Sequence, residues 1–235
     1  MSKPGRKSRF TVAEIGKAAM AIADAGGLES LSMRTLSDAL GLSTMALYRY
    51  VPGKPELLDL IIDLAYSELP REQPSEGNWA QRLERVARDE WALYLAHPWM
   101  LGVSTYRAAL GPHALRKYER ELRAIVDAGL TDLDMDLVVL SLSNFVRGAA
   151  RHALDAQRAT ADTGQTNDAW WTAHAQSLGE LVQEEDFPIA SRVGTAAGMA
   201  YGGPADPAIA FEFGLARYLD GVKALPSAGA SRSAG

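Results

Sequence analysis

An all-α protein is what this sequence predicts. Apolar residues recur at three- and four-residue spacing in one segment after another, helix-capping residues stand where those segments begin and end, and strand-like alternation is hard to find. The chain has 235 residues, 47% of them hydrophobic and 23% charged, which is globular composition and excludes a disordered or collagen-like polymer. No run approaches the ~18 consecutive apolar residues of a membrane span. The start, MSKPGRKSRF, has basic residues but no apolar signal segment, so a soluble, cytoplasmic protein is expected. The absence of cysteine excludes disulfides, zinc ribbons, iron–sulfur clusters and thiol nucleophiles together.

Each element can be justified in order. Thr11 with Glu14 three residues on is a capping box, because the hydroxyl accepts the amide at the third helical position while the carboxylate reaches back to the cap amide. Ile15, Ala18, Ala19, Ile22 and Ala23 then share a face until Gly26-Gly27 stops the helix. Ser32 caps a short second helix with Leu36, Ala39 and Leu40 inward, broken at Gly41. Ser43 caps a third, with Leu47 inward, ending at Pro52-Gly53. Pro55 suits a first helical turn, and Leu57, Leu58, Ile61, Ile62 and Ala65 define a fourth helix reaching about Leu69. Residues 70–77 are breaker-rich and read as a linker. Further helices are expected at 79–96, 98–110, 112–128, 133–158, 168–185 and 207–224, with loops at 160–167 and 186–206 and a disordered tail at 226–235.

The net charge of −5 is unevenly spread. Residues 1–55 carry eight Lys/Arg against four acids, while the remaining 180 carry 16 against 25. A small basic head on an acidic body suits a polyanion-binding module joined to a part that does not touch nucleic acid. Within that head, residues 32–58 read SMRTLSDALGLSTMALYRYVPGKPELL: two short helices about a glycine turn, sharing Leu36, Leu40, Leu42 and Leu47 as core. This is a helix-turn-helix, whose second helix enters the major groove. Ser43, Thr44, Met45, Tyr48, Arg49 and Tyr50 lie away from that core and are candidate DNA contacts. A phenol can reach a phosphate oxygen while its ring packs on sugar or a thymine methyl; packing against a neighbouring domain is the other use for such tyrosines.

The same segment resembles the TetR family of one-component repressors. The resemblance rests on Leu-Gly-Leu-Ser at the turn, on Ala46-Leu47-Tyr48-Arg49-Tyr50-Val51, and on Lys54 followed by Glu56-Leu57-Leu58. It implies that Tyr48 and Lys54 hold the phosphate backbone, Lys54 with help from a helix N-terminus, and that Arg34 reaches a base. Lys3, Arg6, Lys7 and Arg9 would form an arm along the duplex, though a solvated tail would look the same. The organisation implied is an N-terminal three-helix helix-turn-helix DNA-binding head (1–53), a connecting fourth helix (54–69) and a C-terminal helical ligand-binding and dimerisation domain (70–225).

Residues 207–225, PAIAFEFGLARYLDGVKAL, are similar to the final helix of such regulators. Phe211, Leu215, Tyr218, Leu219 and Val222 form a stripe, and Gly214 and Gly221 would allow close helix approach. With the helix at 133–158, the resemblance makes this half of a four-helix bundle between two subunits, and a homodimer is what a palindromic operator needs. The intervening helices would enclose a small-molecule effector, with Trp91, Tyr94, Trp99, Met100, Tyr106, Asn144, Arg147, His152, Trp170 and Trp171 as candidate lining. Asn144, Arg147 and His152 are singled out because polar groups on an inward helical face require partners. Residues 106–112 lack the histidine with which the tetracycline-binding member of the family chelates magnesium, so neither that effector nor a metal is expected.

Motifs of catalysis are missing. There is no G-x-S-x-G, no Walker-type phosphate loop and no H-E-x-x-H, and His97, His113, His152 and His174 never fall at metal-ligand spacing within a helix. Asp132, Asp134 and Asp136 copy the opening of an EF-hand loop that then fails at Leu137 and Ser143; acids at a helix N-terminus fit the helix dipole instead. The expectation is a ligand-responsive DNA-binding regulator with no catalytic residues, cofactor, metal or membrane partner. A constitutive DNA-binding protein, or a helical enzyme with an accessory helix-turn-helix, are the alternatives.

Overall fold

A computed structural model describes residues 10–71, 76–104, 111–181 and 185–225. These residues hold ten α-helices and one 3-10 helix. In chain order they are α1 (Val12–Ser30), α2 (Met33–Leu40), α3 (Thr44–Leu47), α4 (Lys54–Tyr66), α5 (Trp79–Ala96), the 3-10 helix Pro98–Gly102, α6 (Pro112–Ile125), α7 (Asp132–Thr163), α8 (Asn167–Leu181), α9 (Pro188–Tyr201) and α10 (Pro207–Lys223). The basic arm at Lys3, Arg6, Lys7 and Arg9, residues 72–75 of the 70–77 linker, Tyr106 and the tail at 226–235 lie outside the described residues. The chain forms two compact units, one reaching to Ser143 and the other spanning Asn144–Leu225, with α7 running from the first into the second.

Local caps start the first helices. Thr11 and Glu14 form the reciprocal capping box, with Glu14 Oε2 accepting the Thr11 N–H at 2.7 Å and Thr11 Oγ1 accepting the Glu14 N–H at 3.2 Å. Ser32 does the same with Thr35, which stands where the usual Glu or Gln would be. At Gly27 (φ 74°) α1 leaves helical geometry, then coils one more turn to Ser30. In the first unit α1 packs on α2, α4 and the 3-10 helix, α2 packs on α3, and α6 packs on both α4 and α5. Ile15, Ala19, Leu36, Leu47, Leu57 and Ile61 are fully buried among them. At about 25 cal/mol per Å2 of apolar surface, this burial is the main force holding the head together.

Several expectations are corrected. Ala39 is exposed and Leu40 only half-buried, since an eight-residue helix turns too few positions inward to bury both beside Leu36. Regular helix in α3 lasts only Thr44–Leu47, and Tyr48, Arg49 and Tyr50 follow in turns held by Tyr50 N–H to Leu47 C=O at 2.9 Å. Of the segment expected as a helix at 98–110, Pro98–Gly102 forms a 3-10 helix, and residues 105–110 lie outside the described residues. Residues 186–206, expected as a loop, contain α9: Pro188 opens it, alanines sustain it, and Gly202 in the left-handed region (φ 60°) ends it. The expected break at 160–167 is shorter, because α7 continues to Thr163 before Gly164 (φ 67°).

In the second unit α10 places Phe211, Leu215, Leu219 and Val222 inward. Phe145 of α7 stacks between Phe211 and Tyr218, with ring centroids 5.9 and 6.4 Å away. A β-carbon at Gly214 would sit 2.5 Å from the Phe145 ring, so this close approach needs glycine, whereas a β-carbon at Gly221 would meet nothing of its own chain within 4 Å. Four of the five stripe residues are therefore core within one chain, and Tyr218 is half-buried. Ile209 and Phe213, on the other side of α10, are 47% and 65% exposed.

Candidate functional site

The reading surface is built on the turn between α2 and α3. Gly41 ends α2 in the left-handed region (φ 60°), a conformation that favours glycine, and its N–H returns to Asp38 C=O at 3.1 Å. Leu42 N–H bonds Ser37 C=O at 2.9 Å, and Ser43 Oγ accepts the Ala46 N–H at 3.2 Å to start α3. A hydroxyl pair, Ser37 Oγ and Thr44 Oγ1 at 3.2 Å, ties the two helices together. Leu36, Leu47 and Val51 anchor the hairpin from behind.

This anchoring sets which side chains face out. Arg34, Ser43, Met45, Tyr48 and Arg49 are exposed, with Met45 at 77% and Tyr48 at 43%. Thr44 and Tyr50 are half-buried. The Thr44 hydroxyl is engaged with Ser37, and the Ser43 hydroxyl with its own helix. Lys54 is exposed at the first position of α4, whose N-cap Gly53 offers no side-chain hydrogen bond. Its ammonium lies 3.4 Å from the Leu28 carbonyl near the end of α1. The outward row thus combines two guanidinium groups, a phenol, a thioether and an ammonium beside an uncapped helix N-terminus. Such groups can pair with phosphate oxygens and pack on base edges.

The candidate effector residues fall into both units. In the first, Tyr94, Trp99 and Met100 are buried and Trp91 is half-buried. Tyr94 donates to Glu90 Oε1 at 3.3 Å, and Trp99 donates its indole N–H to Asp24 Oδ1 at 2.6 Å. In the second, Arg147, Trp170 and Trp171 are half-buried. Trp170 stacks on His174 with centroids 4.4 Å apart, and Trp171 packs its ring against Gly198. Asn144 and His152 are exposed, contrary to the inward face expected for them. Leu142, Val146 and Ala150 are among the inward positions of α7, and Asn144 and His152 each stand two places beyond one of them, which along a helix points about 200° away.

Sequence reasoning missed three long-range polar arrangements in the first unit. Asp63 of α4, 8% exposed, accepts the N–H groups of His113 and Ala114 at the start of α6. Lys117 of α6 is held by Glu121, by Glu90 at 3.1 Å and by Ser143 Oγ at 3.2 Å, with its ammonium 5.6 Å above the Tyr66 ring. Burial works against the charge of Lys117, yet the two glutamates hold its proton more firmly than usual. Burial pushes the Glu121 carboxyl up, Lys117 pulls it down and Glu90 pushes it up again, leaving it at about 7. The third arrangement is centred on His97, bridging Asp24 and Glu68.

Comparison with known proteins decides the family. Residues 10–61 match the model described as bacterial regulatory proteins, tetR family, and residues 69–225 match the tetracyclin repressor-like C-terminal domain. The chain belongs to the TetR family. Like other TetR-family members it is a DNA-binding transcriptional regulator. The HTH-type transcriptional repressor DrrR1 of Streptomyces coeruleorubidus is 40% identical to it over 224 residues, covering 94% of this chain and 80% of that protein. Among solved structures, apo ActR from Streptomyces coelicolor superposes with a TM-score of 0.75 at 27% identity, covering 97% of this chain and all of that one. ActR in complex with actinorhodin gives the same TM-score over 92% of this chain and 96% of that one. No helix among the described residues of this TetR-family chain is long and apolar enough to cross a membrane.

Proposed function

We propose that this TetR-family regulator is a homodimeric repressor in which residues 1–53 read a palindromic operator, residues 54–69 connect, and residues 70–225 sense a small molecule and dimerise. The observation that carries the DNA part is the outward row Arg34, Met45, Tyr48, Arg49 and Lys54 on a hairpin anchored from behind by the buried Leu36, Leu47 and Val51. Arg34 and Met45 would touch base edges, with Ser43, Thr44 and Tyr50 beside them, while Tyr48 and Lys54 would hold phosphates. The structure of ActR with actinorhodin supports the sensing part. Trp91, Tyr94, Trp99, Met100, Arg147, Trp170 and Trp171, with Tyr106 outside the described residues, remain the candidates for ligand contact. Dimerisation would use the exposed Ile209 and Phe213 of α10. The reading assigns no catalytic step, and places the protein with the chromosome in the cytoplasm.

Release would proceed through α4. Its C-terminal half is clasped to α6 by Asp63, so displacement of α6 on ligand binding would be passed to the head along one rigid helix. Ligand and operator would then oppose each other without overlapping, a reciprocal coupling typically of ~1–3 kcal/mol. The test starts by selecting a duplex from a random-sequence pool with the full-length protein. A panel of small molecules that includes actinorhodin is then titrated while tryptophan emission is followed, with and without saturating duplex. Enrichment of a palindrome, and one compound whose affinity falls when duplex is present, are expected. A palindrome with equal ligand affinities would overturn the switch, and an enriched duplex that no compound affects would favour constitutive binding.

A further inference from the structure

His97 closes α5, and its side chain is buried where three elements of the first unit meet. Its Nδ1 lies 2.7 Å from Asp24 Oδ1 in α1, and its Nε2 lies 3.1 Å from Glu68 Oε2 just beyond α4. Trp99, in the 3-10 helix that follows, donates its indole N–H to the same Asp24 oxygen, with its ring centroid 5.9 Å from the imidazole. The backbone N–H of His97 is spent on the Leu93 carbonyl. Head, connecting helix and body therefore join at one side chain.

The geometry constrains its protonation. A neutral imidazole has one N–H and one lone pair, so it can satisfy one carboxylate while its other nitrogen repels the second. Only the imidazolium donates to both. Burial favours the neutral ring, but the hydrogen bonds and charges of Asp24 and Glu68, the charged groups acting on it from α1 and from beyond α4, outweigh burial and raise its pKa above the ordinary value.

We propose that His97 is a positioning residue for operator binding: as the imidazolium it ties Asp24 of α1 to Glu68 beyond α4 and fixes the reading head on the body, and when it loses its proton one of the two ties is lost. The inference rests on the operator-binding reading above and adds the proton as a second ligand of the same equilibrium. A head held in place gives up less freedom on meeting DNA than a loose one, so the tied form binds more tightly. By linkage, operator binding must raise the His97 pKa in return.

The full-length protein and the duplex enriched from the random pool provide the test. Affinity is measured by fluorescence anisotropy from pH 5.5 to 8.5 at constant ionic strength, for wild type and for His97→Gln. Wild-type affinity is expected to fall several-fold, up to about tenfold for a one-unit change in the His97 pKa on binding, as pH rises through the titration of His97. His97→Gln should bind weakly at low pH and lose this component of the profile, while keeping the wild-type salt slope, because the residue touches no phosphate. Groups such as Glu121 that titrate in both proteins cancel in the comparison. A second measurement needs no variant to fold: the His97 ring titration, followed by NMR in the wild type, should move to higher pH when the duplex is added. Identical pH profiles for the two proteins, a salt slope lowered by about one unit in the variant, or a ring titration unmoved by duplex would each overturn the proposal. If the pool yields no enriched duplex, the operator-binding reading fails first and this inference falls with it.

Discussion

Asp63 accepts the backbone N–H of Ala114 at 2.8 Å, so a carboxylate in α4 caps the first turn of α6. The neighbouring N–H of His113 reaches the same oxygen at 2.9 Å, and the N-cap residue of α6, Gly111, has no side chain with which to do this itself. The positive end of the α6 dipole also favours a negative charge there. A β-carbon at Gly111 would collide with the Asp63 carboxylate.

Asp63→Ala is expected to lower stability by about 2 kcal/mol, the sum of a lost cap and partly buried amides left without an acceptor. Asp63→Asn keeps an acceptor and should lose less. Gly111→Ala, which pushes the carboxylate off its amides, should resemble Asp63→Ala. Urea unfolding of the three variants checks the ranking, and a loss below about 0.5 kcal/mol for Asp63→Ala would show the cap to be idle.

Lys54→Ala and Tyr48→Phe are expected to weaken all duplexes alike, and Lys54→Ala should also reduce the salt slope by about one unit as one fewer counterion is released. Arg34→Ala should instead change preference at particular base pairs. Competition binding against single-substitution duplexes distinguishes the two patterns. Because the Thr44 hydroxyl is tied to Ser37, Thr44→Val should show as a lower melting temperature as well as in base choice.

Stability should fall as pH rises from about 5 to 8. Glu121, raised to about 7, holds its proton better folded than unfolded. Its contribution is therefore complete below the ordinary glutamate pKa of about 4.3 and is lost as pH passes 7. His97, also raised, loses its share in the same direction as pH climbs above about 6.5. Glu121→Gln should flatten the curve of unfolding free energy against pH, and a variant curve parallel to wild type would refute this assignment.

Phe213→Glu is expected to yield a monomer in sedimentation experiments at micromolar concentration and to weaken operator binding, since one head covers only a half-site. Phe213 is 65% exposed, with the Arg217 guanidinium carbon 5.4 Å from the centroid of its ring, and contributes nothing to the buried face of α10. Phe211→Ala, on the buried face, should by contrast cost about 3–5 kcal/mol of stability through the cavity it leaves. A dimeric Phe213→Glu protein would remove this face from the interface.

What could be read from the sequence alone was whatever is settled within one turn of helix. Thr11 caps Glu14, Ser32 caps Thr35 and Ser43 caps Ala46 because partners three residues apart are brought together by helix geometry itself, and the same periodicity sorts Ile15, Leu36 and Leu47 into the core. The outward residues of the hairpin follow from that inward set. Periodicity does not say what covers a face: it marked α10 as striped, but only packing showed Phe145 filling the stripe and left Phe213 outside. It also passed over α9, whose small residues carry little apolar contrast. The polar clasps were decided by tertiary structure alone. His97 and Asp24 are 73 positions apart, and Asp63 and His113 are 50 apart, so no spacing rule relates them. Their chemistry comes from burial, which removes competing water and makes a proton's location depend on which carboxylates the folded chain happens to bring beside it.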